Sequence, residues 1–268
     1  MAIVALNSAA TGLRALSTQL DVISNNIANA NNDGFKASRA NFEDLMYQYY
    51  QDPGVQDEAG NTRPIGLAVG LGTRVNGTQL DMTQGSAITT GRPLDAYVEG
   101  DGFFQLKTPP GVANGLAYTR TGKFFVNEKG ELVLDGNTGY KVDPPITIPT
   151  NATGISISTD GRVSVNIPGQ TALQDVGQMQ LARFVNPQGL RQLGSNLYAT
   201  TDASGQPQLS NPAQDGFGAL RQGFVEASNV DPVTELVNLI KTQRTFELNS
   251  QSIQAADQML QQVSNLRR

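Results

Sequence analysis

Two interlocked rows of apolar residues, each repeating every seven positions, open the chain. Leu6, Leu13, Leu20 and Ile27 form one row, and Ala2, Ala9, Leu16, Ile23 and Ala30 form the other. A period of seven kept over about four heptads sets one helix face against a partner, as in an a/d seam. The Ala members let a neighbouring backbone come close. The helix is expected to stop between Asn29 and Asp33, where an Asn-rich run meets Gly34, a residue suited to the left-handed conformation that closes helices. The far end of the chain carries a matching pattern. Asp231 suits an N-cap and Pro232 the first helical position. Leu239, Phe246, Ile253 and Leu260 then recur at seven, with Leu236, Ile240, Ala256 and Val263 widening the stripe. Gln243, Ser250 and Asp257 make a polar companion row, and no Gly or Pro interrupts residues 233–268. A helix of that length, roughly 50 Å at 1.5 Å per residue, cannot bury its own stripe and needs a partner.

Between these ends the sequence changes character. From about Val69 to Gly223 it is rich in Gly, Thr, Asn and Pro, with short apolar or alternating runs. Ala96–Glu99, Gly102–Leu106, Phe124–Val126, Glu131–Leu134 and Ile155–Ser158 read as strands. Glu128–Gly130, Asp135–Asn137, Asp160–Gly161 and Asn186–Gly189 read as the turns between them. Spacing this close favours antiparallel hairpins over βαβ units. The fold class is therefore α+β: long N- and C-terminal helices forming a coiled-coil-like domain, with an antiparallel β-rich domain inserted between them.

The 268 residues include no Cys, His or Trp. A Ser-His-Asp triad, a redox Cys pair, a disulfide framework and nitrogen or sulfur ligation of zinc, iron or copper are thereby excluded. A net charge of −5 argues against nucleic acid as a partner. The N-terminus lacks a basic n-region and is a poor secretory signal. No run approaches the roughly 18 apolar residues of a membrane span, so no membrane insertion is expected. The glycines of Gly66–Gly72 fit neither nucleotide-loop spacing. Asp52, Asp57 and Glu58 lack the alternation of a calcium loop. Asp95 and Glu99, four apart and so expected on one strand face, could with Asp101 supply a carboxylate pair, but polar turn residues beside a strand give the same pattern. No catalytic residue, cofactor or metal is expected. Two apolar seams at opposite chain ends point instead to an interaction module.

Three segments resemble a known family. Ser24-Asn-Asn-Ile-Ala-Asn-Ala-Asn-Asn-Asp-Gly-Phe-Lys36 is similar to the N-terminal signature of the flagellar axial proteins, the rod, hook and hook-associated family. Gly223-Phe-Val-Glu-Ala-Ser-Asn-Val230, Glu235–Ser250 and Asp257–Leu260 resemble its C-terminal counterpart. Gly100–Phe104 and Tyr118–Gly122 extend the likeness loosely into the middle. Thr245, Phe246 and Gln251 stand where the family pattern has Ala, Tyr and Lys. Chain length and Phe42–Gln48, leading into Tyr49–Pro64, are most similar to the distal-rod branch; a sibling proximal-rod or hook-type subunit is the alternative.

The resemblance implies a structural, self-assembling subunit of a hollow periplasmic shaft that transmits motor torque to the hook and carries exported subunits. It implies an inner domain built from an N-terminal helical part (1–34) and a C-terminal helix (232–268). An extended linking stretch (35–80), a β-rich outer domain (81–222) and a return linker (223–231) complete the chain. The implied self-assembly seam is Leu6, Leu13, Leu16, Leu20, Ile23, Ile27, Leu236, Leu239, Phe246, Ile253, Leu260 and Val263. Tyr47, Tyr49, Tyr50, Pro53 and Pro64 would belong to a stretch that braces neighbouring subunits. The implied partners are further copies in a helical tube, proximal rod and hook proteins, the P and L ring proteins, and the flagellar export apparatus, which would pass the chain without cleavage.

Overall fold

The computed structural model describes residues 2–54, 64–136, 139–169 and 172–266. The chain forms two units, Met1–Ala28 with Ser38–Leu80 and Asp231–Arg268, and Asn29–Ala37 with Asp81–Val230. The backbone therefore crosses between them four times, after Ala28, Ala37, Leu80 and Val230.

The first unit is built on α1 (Ala2–Ala28) and α2 (Pro232–Leu266), within two residues of the helices read from periodicity. They run antiparallel: Asn26 Nδ2 donates to Glu235 Oε1 at 3.3 Å, while Gly12 lies against Asn249. Asp231 caps α2 as its residue type predicts, accepting from the Val233 N–H at 3.1 Å and from the Thr234 hydroxyl. These bonds, the Thr234 one foremost, hold the Asp231 carboxyl below the usual carboxylate range. Because the folded value is depressed, the cap contributes above the unfolded value and is lost as pH falls through the folded one.

Within the stretch 35–80, expected as an extended link, residues 38–54 and 64–80 form a ribbon that packs on α1 through its first and last strands. Strands β1 (Ser38–Asp44) and β4 (Thr73–Leu80) pair antiparallel from Ser38↔Leu80 to Asp44↔Thr73, and β2 (Tyr47–Gln51) pairs with β3 (Leu67–Gly70). At Gly72, with φ +113°, a Cβ would sit 2.1 Å from Thr11 Oγ1 on α1, so only glycine lets the ribbon lie this close.

The second unit holds β5 (Ala87–Thr89), β6 (Ala96–Glu99), β7 (Phe103–Lys107), β8 (Leu116–Thr119), β9 (Phe124–Val126), β10 (Leu132–Leu134), β11 (Lys141–Val142), β12 (Gly154–Ile157), β13 (Arg162–Asn166) and β14 (Gln174–Gln178). It continues with β15 (Leu181–Arg183), β16 (Arg191–Gly194), β17 (Leu197–Ala199), β18 (Gln208–Ser210), β19 (Ala219–Gln222) and β20 (Phe224–Glu226). Every pairing is antiparallel, as the turn spacing predicts. Strand β7 is central, bonded to β8, β11 and β15. One face puts Phe104 and Leu106 into a core with Phe124, Leu132, Val163, Met179 and Leu181. Its other face puts Phe103 edge-on to Phe184 and Tyr198. Burying each large apolar side chain contributes about 1.5–3 kcal/mol. Asn29–Ala37 and β20, read from the sequence as a helix end and a return linker, are parts of this unit.

Candidate functional site

The helical pair buries small and polar groups at its centre. Ala15, Ile23 and Asn26 of α1 are buried, as are Thr242 and Ala256 of α2. Thr242 satisfies its hydroxyl on the Asn238 carbonyl, one turn back. Asn26 is a hub: its Oδ1 accepts from the Ser38 N–H at 3.0 Å and its Nδ2 donates to the Ser38 carbonyl at 2.8 Å, besides reaching Glu235. Leu6, Leu13, Leu16, Leu20, Ile27, Leu239, Phe246 and Ile253 are only partly buried. Leu236 and Leu260 are exposed, Leu236 at 47%. The Val263 side chain lies outside the described residues. The row flanking Leu239, Phe246 and Ile253 on the α1 side is Glu235, Thr242, Asn249 and Ala256, not the Gln243, Ser250 and Asp257 expected. Val233, Val237, Ile240, Leu248 (63% exposed) and Met259 fall on the opposite face of α2, where the single chain gives them no cover.

The ribbon is similarly bare. Tyr47, Tyr49 (62% exposed), Tyr50, Met46, Ile65 and Leu67 are exposed, as are Pro53 and Pro64. Tyr50, Val69 and Gly70 face Val4, Ala5 and Ser8 of α1 across an almost wholly apolar groove of about 310 Å³. Asp57 and Glu58 lie outside the described residues. The other acidic candidates do not converge: the Asp95 carboxylate is fully buried, whereas Glu99 is at the surface 3.8 Å from Arg221. Among the described residues there is no cluster of acids suited to a metal, and no helix is long and apolar enough to cross a membrane.

The β unit contains a charged clamp that sequence reasoning missed. Lys36 Nζ lies 2.6 Å from Glu226 Oε1, each side chain only 1% exposed, and also donates to the Thr83 carbonyl at 2.7 Å. The same Glu226 oxygen accepts from the Gly85 N–H at 3.0 Å. The Glu226 carbonyl accepts from the Gly34 N–H at 2.8 Å. Gly34 has φ +72°, and a Cβ there would meet Thr121 Oγ1 at 2.6 Å, so this glycine serves a close approach and not the helix end. Asn229 completes the clamp, accepting from the Ala37 N–H and donating to the Asp81 carbonyl. Burial pulls the Lys36 ammonium below its usual range, against the opposing pull of Glu226. Burial lowers Arg120 likewise and raises the Tyr198 phenol, where the Glu226 charge adds to the effect. A buried ion pair 190 residues apart leaves no local pattern in a sequence; only the two motifs containing its members flag it.

Three stretches match known families. Residues 6–36 match the flagella basal body rod protein family, residues 97–165 the D1 domain of the flagellar hook protein FlgE/F/G, and residues 221–266 the C-terminal family of flagellar basal body rod FlgEFG proteins. Over nearly its whole length the chain is similar to flagellar basal-body rod protein FlgG. It is 46% identical to that of Buchnera aphidicola subsp. Acyrthosiphon pisum over 256 residues, 96% of each chain. It is 46% identical to that of Caulobacter vibrioides over 264 residues, 98% of this chain and 99% of the relative. It is 39% identical to that of Bacillus subtilis over 273 residues, 98% of each. The chain belongs to the FlgG family of flagellar basal-body rod proteins. The two terminal matches to rod families contain Lys36 and Glu226 respectively, so in this FlgG-family chain the clamp ties one matched segment to the other.

Proposed function

We propose that the chain is a structural subunit of the flagellar distal rod, assembling with its own copies into a hollow periplasmic shaft that performs no chemistry. The observation that carries this reading is the mismatch within the helical pair. Its centre holds one large apolar side chain, Ile23, beside Ala15, Asn26, Thr242 and Ala256, while Leu236, Ile240, Leu248 and Met259 are exposed. A helix pair with so thin a core gains little from burial, against a backbone ordering cost of about 1–2 kcal/mol per residue. Neighbouring copies supply the missing apolar surface, with the seam Leu6, Leu13, Leu16, Leu20, Ile23, Ile27, Leu236, Leu239, Phe246, Ile253, Leu260 and Val263 as the coiled-coil-like region they extend. The exposed tyrosines of β2, with Pro53 and Pro64 exposed near the strands' ends, give the ribbon its bracing role between copies.

On this reading the shaft joins proximal rod and hook proteins at its ends, turns within the P and L rings, and receives subunits through the flagellar export apparatus. Electron microscopy of the purified, concentrated protein tests it: straight tubes are expected, and a permanently monomeric particle overturns it. Before assembly, amide exchange on a verified monomer is expected to be fast in residues 2–28 and 232–266 and slow in β7, β8 and β15. Strong protection of both helices in the monomer would refute folding on assembly.

A further inference from the structure

The β unit buries a cation that its own acids do not fully cover. Arg120 is 4% exposed, and its Nη2 donates to the Gly100 carbonyl at 2.8 Å. Its Nε and Nη1 make no hydrogen bond, and Glu226 Oε2, likewise unbonded, stands 3.8 Å from Nη1. Glu226 has already committed its other oxygen to Lys36 and Gly85. One carboxylate thus serves two buried cations, and an unpaired buried donor is costly.

Arg120 lines a cavity of about 220 Å³, together with a second, partly exposed guanidinium, Arg183. Asp101 also lines it and offsets one of the two charges. The remaining wall is apolar, chiefly Phe103, Phe184 and Val185. Pockets for drug-sized ligands run about 300–1,000 Å³; this one admits a single side-chain-sized group. Arg183, the more open of the two, can pair with a carboxylate through parallel N–H···O bonds, while Arg120, its Nε and Nη1 sealed from solvent, adds its charge from beneath. The aromatic wall favours an acid with a hydrocarbon body over a hydrated inorganic anion. We infer that this cavity is a binding site for a carboxylate carried on an apolar body, supplied by an acidic side chain of a second copy or by a free organic acid.

Benzoate is the probe, titrated into the purified monomer while the Nε signals of Arg120 and Arg183 are followed by NMR. Both signals are expected to move and saturate. Arg183→Gln, which also removes contacts to the Asp215 carbonyl, the Gln208 side chain and the face of the Phe217 ring, is expected to weaken the affinity roughly tenfold or more. Val185→Asp, at an 80% exposed position, is expected to weaken it as well by repulsion. Shifts that fail to saturate, or that saturate equally in Arg183→Gln, overturn the site. A second arm, which alone rests on the assembly reading, identifies the source. Saturating benzoate slows tube formation if the acid comes from a neighbouring copy and leaves it unchanged if the natural ligand is free. Should the protein form no tubes at all, the assembly reading fails while the monomer titration still decides the site.

Discussion

Glu226→Gln is expected to destabilise the β unit by roughly 3–5 kcal/mol, the cost of breaking a buried charge pair from one side. Against a typical domain stability of about 5–15 kcal/mol, that is a large fraction. The substitution leaves Lys36 and Arg120 buried with no anion between them. Lys36→Met is expected to cost less, because Glu226 can then turn toward Arg120, now 3.8 Å away. The double variant, Lys36→Met with Glu226→Gln, is expected to cost less than Glu226→Gln alone, since one stranded cation is gone. Urea unfolding followed by tyrosine fluorescence measures the series; the chain has no tryptophan, and Tyr97, Tyr118 and Tyr198 are buried in this unit. If Lys36→Met proves the more damaging change, Arg120 has no share in the cluster.

Tube formation is expected to be abolished by Ile253→Asp or Leu13→Asp while the unfolding midpoint of the β unit stays unchanged. Each places a carboxylate in an apolar contact, at a cost of several kcal/mol. Every 1.4 kcal/mol multiplies the concentration needed for assembly about tenfold, so about 3 kcal/mol raises it roughly 150-fold. Leu248→Asp separates the two faces of α2. Leu248 is exposed in the single chain, so its substitution removes no contact between α1 and α2 and is still expected to block assembly. Normal tubes from Leu248→Asp would mean that this face meets no neighbour.

What the sequence made legible follows the range of the interactions involved. The helices, the Asp231 cap and the strands at Ala96–Glu99 and Phe103–Leu106 depend on neighbours a few positions apart, and periodicity finds them. The ribbon depends on Ser38 finding Leu80, and its alternation is weakened by Gly77, Thr78 and Gln79. Leu236 and Ile240 misled the reading of α2 because hydrophobicity says that a residue is covered, not by which molecule. Their bulk drew the stripe around the helix, whereas Thr242 and Asn249, polar and unremarked, face α1. Asn26 and Lys36 were hidden for the opposite reason. Polar and charged residues read as solvated, yet these two are buried with their hydrogen bonds met by Ser38, Thr83 and Glu226.

Four backbone segments link the helical unit to the β unit, at Ala28, Ala37, Leu80 and Val230. Any twisting load carried from one to the other is divided among several strands of covalent chain, so no single peptide link bears the whole strain. A protease nick at one of these junctions would leave the halves tethered, and stiffness would degrade by degrees, as in a rope losing yarns.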